Sequence, residues 1–331
     1  MIFSKLAPVV VLATVVLAAP TDLIEAPRKV GKRCTGTISS YAPTQDAFAM
    51  DKGVTLEIDA PDGASITMNG DISFPYYEWD GPLMIVKGNS ITFNGNGHSL
   101  KGNGDQYWDG EGTSGGKTKP APLLRINHSG TFTNTIVKNA PARSVAIGGA
   151  NVVVSSVTVD NSDGDSLGKN TDGFDVSSDG PVTIQNSKVH GQDDCLAINR
   201  GNKITFTGNT CTGPTHGISI GSIKSDTTVS NVVISNNVVT GAVNGLRIKT
   251  VSDATNGLVN TVTYSNTSLR NSRCSPACEE QNERSDPVGH CPQLVPVYVN
   301  DRPRISVSIA NALAEACPGT EAVEFSNIVL S

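Results

Sequence analysis

Four short segments of this chain repeat one pattern, and their spacing leaves few folds open. They begin at Asn170-Thr171-Asp172, Gln192-Asp193-Asp194, Pro214-Thr215-His216 and Val243-Asn244-Gly245, and each sets polar groups just before a short alternating apolar run. Asp172, Asp194 and His216 follow one another at intervals of 22 residues, and Asn244 comes 28 residues later. Self-similarity at a period of 20 to 50 residues marks a solenoid. Short alternating runs bounded by Gly and Asn mark strands. The expected fold is therefore all-β, a β-solenoid in which each repeat is one coil of a parallel β-helix. Coils of that kind lie about 4.8 Å apart, so equivalent residues stack. The predicted column is Asp172, Asp194, His216 and Asn244, with Asp193 beside it. Arg247 and Lys249 lie two residues apart on one strand and so share a face. Three carboxylates, a histidine and two cations would gather on one patch.

Taken in this order and spacing, Asn170-Thr171-Asp172, Asp193-Asp194, His216-Gly217 and Arg247-Ile248-Lys249 resemble the four signature motifs of the polygalacturonases, glycoside hydrolase family 28, in their fungal form. The likeness runs from about Phe74 to Leu269. It implies a right-handed parallel β-helix and a secreted, monomeric, inverting hydrolase, without metal or cofactor, that cuts α-1,4 bonds of polygalacturonate in endo fashion. It assigns Asp193 as general acid and Asp172 with Asp194 as the water-activating pair. His216 would support the acid's protonation, Arg247 and Lys249 would grip a galacturonate carboxylate, and Asn170 would touch substrate. The chemistry fits these residue types. Glycoside hydrolysis needs one carboxylic acid and one carboxylate, and clustered carboxylates raise the proton affinity of at least one member. A guanidinium binds a carboxylate in a fork, which suits a uronic acid better than a neutral sugar. One tension stands: groups a coil apart are about 5 Å apart, a separation usually read as retaining.

Other readings of the cluster are a purely structural polar ladder and a calcium site, the latter opposed by the neighbouring His, Arg and Lys. At the level of function the alternatives are a pectin-binding or catalytically impaired solenoid and a rhamnogalacturonan hydrolase. Cys195 and Cys211 lie about one coil apart. In a secreted protein a disulfide is their plain reading, and it resembles a bridge of the same family.

The rest of the chain is read around this centre. Residues 1–19 have the charged, apolar and small-residue regions of a signal peptide. Residues 20–33 read as a propeptide ending in Lys32-Arg33, residues 34–271 as the β-helix, and residues 272–331 as an atypical C-terminal region. The formal charge of −6 offers no basic footprint for nucleic acid, and no later stretch is apolar for long enough to span a membrane. Losing residues 1–33 removes five cations and two acids and takes the charge to −9. Such a charge repels a polyanion less at acidic pH, so an acidic optimum is expected. Asn127-His128-Ser129 and Asn266-Thr267-Ser268 are N-glycosylation sequons. Tyr107 and Trp108 are candidates for stacking on a sugar ring. Strand-like runs occur at Gly53–Ile58, Val152–Val159, Val182–Val189, Ile204–Thr207, Val232–Ile234 and Val262–Tyr264.

After about Asn271 the alternation fades. The resemblance implies a further coil opened by a Tyr-Gly pair whose tyrosine serves the substrate site. No Tyr-Gly occurs here, and Tyr298, the only tyrosine in this region, has a different setting. Cys274, Cys278, Cys291 and Cys317 lack the paired spacing of a zinc site, which leaves disulfides as their expected use. With seven cysteines one thiol is left over, and Cys34 is the candidate.

Overall fold

The computed structural model describes residues 48–251, 254–270, 297–299, 323–325 and 328–329. Apart from two three-residue 3-10 turns, Gly104–Gln106 and Ser162–Gly164, all their regular structure is β-strand. None of the described residues forms a helix long and apolar enough to cross a membrane.

The strands run parallel and stack in three columns, one strand of each per coil, which is the architecture of a parallel β-helix. The first column starts at Leu56–Asp59 and continues through Val145–Ile147, Phe174–Ser178, Gly217–Ile223 and Leu246–Thr250. The second runs from Ser65–Thr67 to Leu258–Ser265, and the third, of two- and three-residue strands, from Phe48–Ala49 to Ser268–Arg270. Three strands, Met84–Asn94, Leu124–Thr133 and Asp194–Thr207, are long enough to pass from the first column into the second. The last does so at Gly201, where φ is +142° and an added Cβ would lie 2.3 Å from the Ser178 carbonyl oxygen, so a larger residue cannot turn this corner.

Alternation decides what points inward. Met84, Leu124, Val145, Phe174, Leu196 and Ile218 are successive register partners, and all are buried. So are Phe93, Phe132, Val154, Ile184, Phe206 and Ile234 in the second column. Each such side chain contributes about 1.5–3 kcal/mol. The rings of Phe93 and Phe132 stack at 4.4 Å. Cys195 of the first column and Cys211 of the third are joined by a disulfide inside the coil, with Cα atoms 5.8 Å apart.

The strand-like runs expected over Val152–Val159 and Val182–Val189 are each two strands. The break falls at Ser156 and Asn186, both left-handed, with φ of 54° and 50°. Here the chain turns from the second column to the third, and Asn134, Gly208, Asn236 and Asn266 turn the same corner in other coils. Asn tolerates this region because its short side chain bonds locally. Behind the corner, side-chain oxygens take the free amides: Ser187 N donates to Asn209 Oδ1 at 2.9 Å, and Asn209 N to Asn237 Oδ1 at 2.9 Å.

Three short strands of the C-terminal region are described. Val297–Val299 adds a parallel strand to the first column, with Tyr298 in register with Lys249. Val323–Phe325 and Ile328–Val329 pair antiparallel with Leu258–Ser265. They cover part of an edge that would otherwise offer unpaired amides and carbonyls. These strands are two or three residues long, too short for alternation to reveal. The predicted leader and propeptide, Cys34, Cys274, Cys278, Cys291 and Cys317 all lie outside the described residues.

Candidate active site

The outer face of the first column carries the polar residues. Arg125, Ala146, Asp175, Ala197, Ser219 and Arg247 are successive register partners and form one line along the coils. Asp172, Asp193, Asp194 and His216 lie just ahead of the strands that carry this line, and flank it.

The single column expected for Asp172, Asp194, His216 and Asn244 does not form. Phe174 pairs with Leu196, which sets Asp172 one coil from Asp194. A register shift between Asp194 and Leu196 then pairs Asp194 with Gly217, so His216 falls against Asp193. The His216 amide donates to the Asp193 carbonyl at 2.9 Å. Equal sequence intervals cannot reveal a bulge, which inserts a residue without changing the period. Gly217 is needed at this approach: its φ is +75°, and a Cβ would lie 2.1 Å from the Asn244 carbonyl oxygen.

Each carboxylate has its own surroundings. Asp193 Oδ1 accepts from His216 Nδ1 at 3.0 Å and from the Asp194 amide at 2.8 Å, and its Oδ2 accepts from Asn170 Nδ2 at 3.0 Å. Asp194 is 1% exposed and holds two cations, Arg247 Nη2 at 2.5 Å and Lys249 Nζ at 2.7 Å, besides the Ser219 hydroxyl at 2.6 Å. Asp172 keeps a window to solvent yet stands among carboxylates. Asp175, outward on the strand Phe174–Ser178, is buried; its Oδ1 has one long contact, Asn199 Nδ2 at 3.4 Å, and its Oδ2 has no partner among the described residues.

Proton affinities follow. Removal from water, then the charges of Asp175, Asp193 and Asp194, push Asp172 well above the usual carboxylate range. Burial pushes Asp175 up to about 7, against the opposing charge of Arg143. Burial also acts on Asp193, but the His216 hydrogen bond and charge, the Asp194 amide and the charge of Lys249 outweigh it and hold Asp193 below the usual range. In the ligand-free chain, then, His216 favours ionised Asp193, the reverse of the support for a protonated acid that the motifs suggest. Asp172 and Asp175 are the carboxyls pushed toward their protonated forms.

Asn170, expected to touch substrate, has its amide engaged within the protein. Its Oδ1 accepts from the Thr113 amide at 2.9 Å and hydroxyl at 3.1 Å, while its Nδ2 holds Asp193. The loop bearing Thr113 is fixed in turn by Asp109, which accepts from the Lys117 and Glu111 amides and pairs with buried Lys119 at 2.9 Å. Tyr107 and Trp108 are not groove residues. They are 0% and 6% exposed, with the Tyr107 hydroxyl bonded to the Tyr77 backbone and Trp108 Nε1 donating to the Ala140 carbonyl. Asn127 is exposed on the site's own face, two residues from Arg125, and Asn266 is exposed at a coil corner. The motifs passed over Asp175, Ser219 and Thr113. Asp175 had left a signal, an acid at the outward position of an alternating strand.

Donor atoms of Asp193, Asp194 and His216 lie within 4.8 Å of one another, close enough to share a metal ion. Both oxygens of Asp194 already hold cations, so an ion there would have to displace Arg247 and Lys249.

Residues 40–298 match the model of glycosyl hydrolases family 28. The chain belongs to this family. It is 40% identical over 303 residues to a probable endopolygalacturonase A of Neosartorya fischeri, covering 86% of this chain and 82% of that one. With an endo-polygalacturonase of Sclerotinia sclerotiorum it shares 43% identity over 259 residues, 76% of this chain and 68% of the relative. Among solved structures, endopolygalacturonase I from Stereum purpureum in complex with two galacturonates superposes with a TM-score of 0.65 at 47% identity, covering 67% of this chain and 68% of that one. In this family 28 hydrolase the matched stretch extends past the described coils to Tyr298.

Proposed function

We propose that the chain is a secreted endo-acting hydrolase of the α-1,4 bonds in polygalacturonate, with Asp172, Asp193, Asp194 and His216 as its catalytic group. The observation that carries this is the division of charge in one cluster. Asp172 is pushed toward its protonated form and Asp193 toward its ionised form, and Arg247 and Lys249 stand beside them where a uronate carboxylate can bind. The named endopolygalacturonases among its relatives support the substrate. Parallel strands joined by crossovers wind right-handed in nearly all proteins, and the same hand is inferred here.

Hydrolysis needs an acid next to the leaving oxygen and a carboxylate for water. Asp193 is the acid by likeness of motif, although the free chain ionises it. Substrate resolves the difference. A galacturonate carboxylate drawing Lys249 toward itself takes positive charge from Asp193, which then holds a proton more firmly. Asp193 takes up a proton in the complex and gives it to the leaving oxygen, while the Asp172–Asp194 pair orients the water and accepts its proton on an ionised carboxylate. The outcome is inversion. Asn170 is a positioning residue that holds Asp193 through Oδ2.

The test is reducing-end release from polygalacturonate by the full chain beside Asp193→Asn. Release by the wild type that falls by at least about a thousandfold in the variant is the expected result. Binding of polygalacturonate by a folded chain that releases no ends would overturn the hydrolase in favour of a binding protein. Proton NMR of the first product anomer checks inversion.

A further inference from the structure

Asp172 and Asp193 ride on neighbouring turns that lead from the third column back into the first. The turn of Asp172 runs from the strand Thr158–Asp160 to the strand Phe174–Ser178, and that of Asp193 from Lys188–His190 to Asp194–Thr207. Backbone that leaves the ladder needs other partners to fix it. Here one buried side chain, that of Gln192, ties the later turn to the earlier one.

The Thr171 hydroxyl donates to Gln192 Oε1 at 2.7 Å and accepts from the Gln192 amide at 2.8 Å. Gln192 Nε2 donates to the Asn161 carbonyl at 2.9 Å and to Asp165 Oδ1 at 2.8 Å. Both protons of Nε2 thus meet acceptors while Oε1 meets a hydroxyl, so the amide has one favoured orientation. Asp165 is held in turn by His190 Nε2, which lies 2.9 and 3.1 Å from its two oxygens. The earlier turn closes tightly over the amide. A Cβ added at Gly164 or Gly168 would lie 3.0 or 2.6 Å from Gln192 Oε1.

Each end of this clasp is one residue from a carboxylate of the proposed catalytic group: Thr171 precedes Asp172, and Gln192 precedes Asp193. Thr171 is 0% exposed and Gln192 7%, so burial withholds both side chains from substrate. Whatever they do for the reaction they do through their neighbours. A glycosidase works only with its two carboxyl groups at a set separation across the bond, and a misplacement of about 1 Å can cost two orders of magnitude in rate.

We propose that Thr171 and Gln192 are positioning residues that set the separation of Asp172 and Asp193. This rests on the reading of these aspartates as part of the catalytic group of a polygalacturonate hydrolase. Asp165, braced by His190, keeps the Gln192 amide turned so that its oxygen faces Thr171.

The test compares the full chain with Thr171→Val, Thr171→Ser, Gln192→Met and Ser187→Ala, by kcat and KM on polygalacturonate and by urea midpoint. Valine keeps the shape of Thr171 and removes the hydroxyl. It should lower kcat about ten- to a hundredfold and leave KM within about twofold. Thr171→Ser, which restores the hydroxyl, should return kcat to within about threefold of the wild type. Gln192→Met should also lower kcat with KM unmoved, and it carries the test where Thr171→Val does not fold. Ser187 is the matched control. Its buried hydroxyl likewise accepts from one amide, that of Val157, and donates to one oxygen, the Gln185 carbonyl, but at the corner between the second and third columns. Ser187→Ala should lower the urea midpoint as Thr171→Val does and leave kcat in place. Thr171→Val or Gln192→Met that folds and keeps the wild-type kcat, or that raises KM alone, overturns the clasp. A folded wild type that releases no reducing ends overturns the hydrolase reading, and the clasp with it.

Discussion

Replacing Asp175 with Asn should stabilise the protein, and only above a certain pH. Asp175 is 8% exposed, has one weak hydrogen bond, and holds its proton to about pH 7 rather than its ordinary 3.8. The folded chain thus binds this proton more tightly than the unfolded chain does. Below about pH 4 both forms carry it and nothing is lost. Between pH 4 and 7 the unfolded chain ionises while the folded chain does not, so stability falls as pH rises. Above pH 7 the loss is complete, and three pKa units at 1.36 kcal/mol each make it about 4 kcal/mol. Asp172 shares the repulsion, so the gain from Asp175→Asn at pH 8 over that at pH 4 should be about 2–4 kcal/mol. Urea midpoints of both proteins at the two pH values measure it, provided the slopes agree. The same change removes the foremost like charge beside Asp172. Asp172 then releases its proton at lower pH, and the acidic limb of kcat/KM, set by the water-activating pair, moves down. An equal effect on stability at both pH values, or an unmoved limb, would refute the account of Asp175 as a buried acid that costs stability and tunes its neighbour.

Digalacturonate binding at pH 5 should take up protons, because Lys249 and Arg247 turn from the aspartates to the ligand. Calorimetry in buffers of different ionisation enthalpy reads the number, and zero uptake would contradict the proton shift onto Asp193. Lys249→Met leaves buried Asp194 with one cation instead of two and should cost about 3 kcal/mol of stability at pH 7 by urea unfolding. Replacing Cys195 and Cys211 by Ala opens a 16-residue loop and should cost about 3 kcal/mol, again by urea midpoint. Asn170→Ala frees Asp193 Oδ2 and should lower kcat about tenfold or more while KM changes little, if its amide serves to hold the proposed acid.

The fold was legible because a solenoid writes its period into the chain. Equal spacing of Asp172, Asp194 and His216, with apolar residues alternating after each, located the coils. It could not locate the register shift at Asp194, which moved His216 from Asp194 to Asp193. Nor could it show that Asp194 faces its own cations. The resemblance implies that Arg247 and Lys249 grip substrate, and spacing alone could not show that their resting partner is the most buried carboxylate of the site. Tyr107 and Trp108 illustrate the opposite limit: aromatic residues near polar motifs look like a sugar platform until the loop beneath them is seen to be packed. Val297–Val299 escaped because three residues carry no period.

In a secretory host, Asn127 offers a glycan position on the face of the proposed site. It is exposed two residues from Arg125, on the strand that floors the N-terminal end of this face, and it begins a sequon. An oligosaccharide attached there would stand over the N-terminal coils of this face, in the path of a long polymer lying along them, leaving the proposed cutting site open to short chains. The expression host would then set the length preference: a chain made in bacteria and one made in yeast would share every residue and differ in the oligomers they favour.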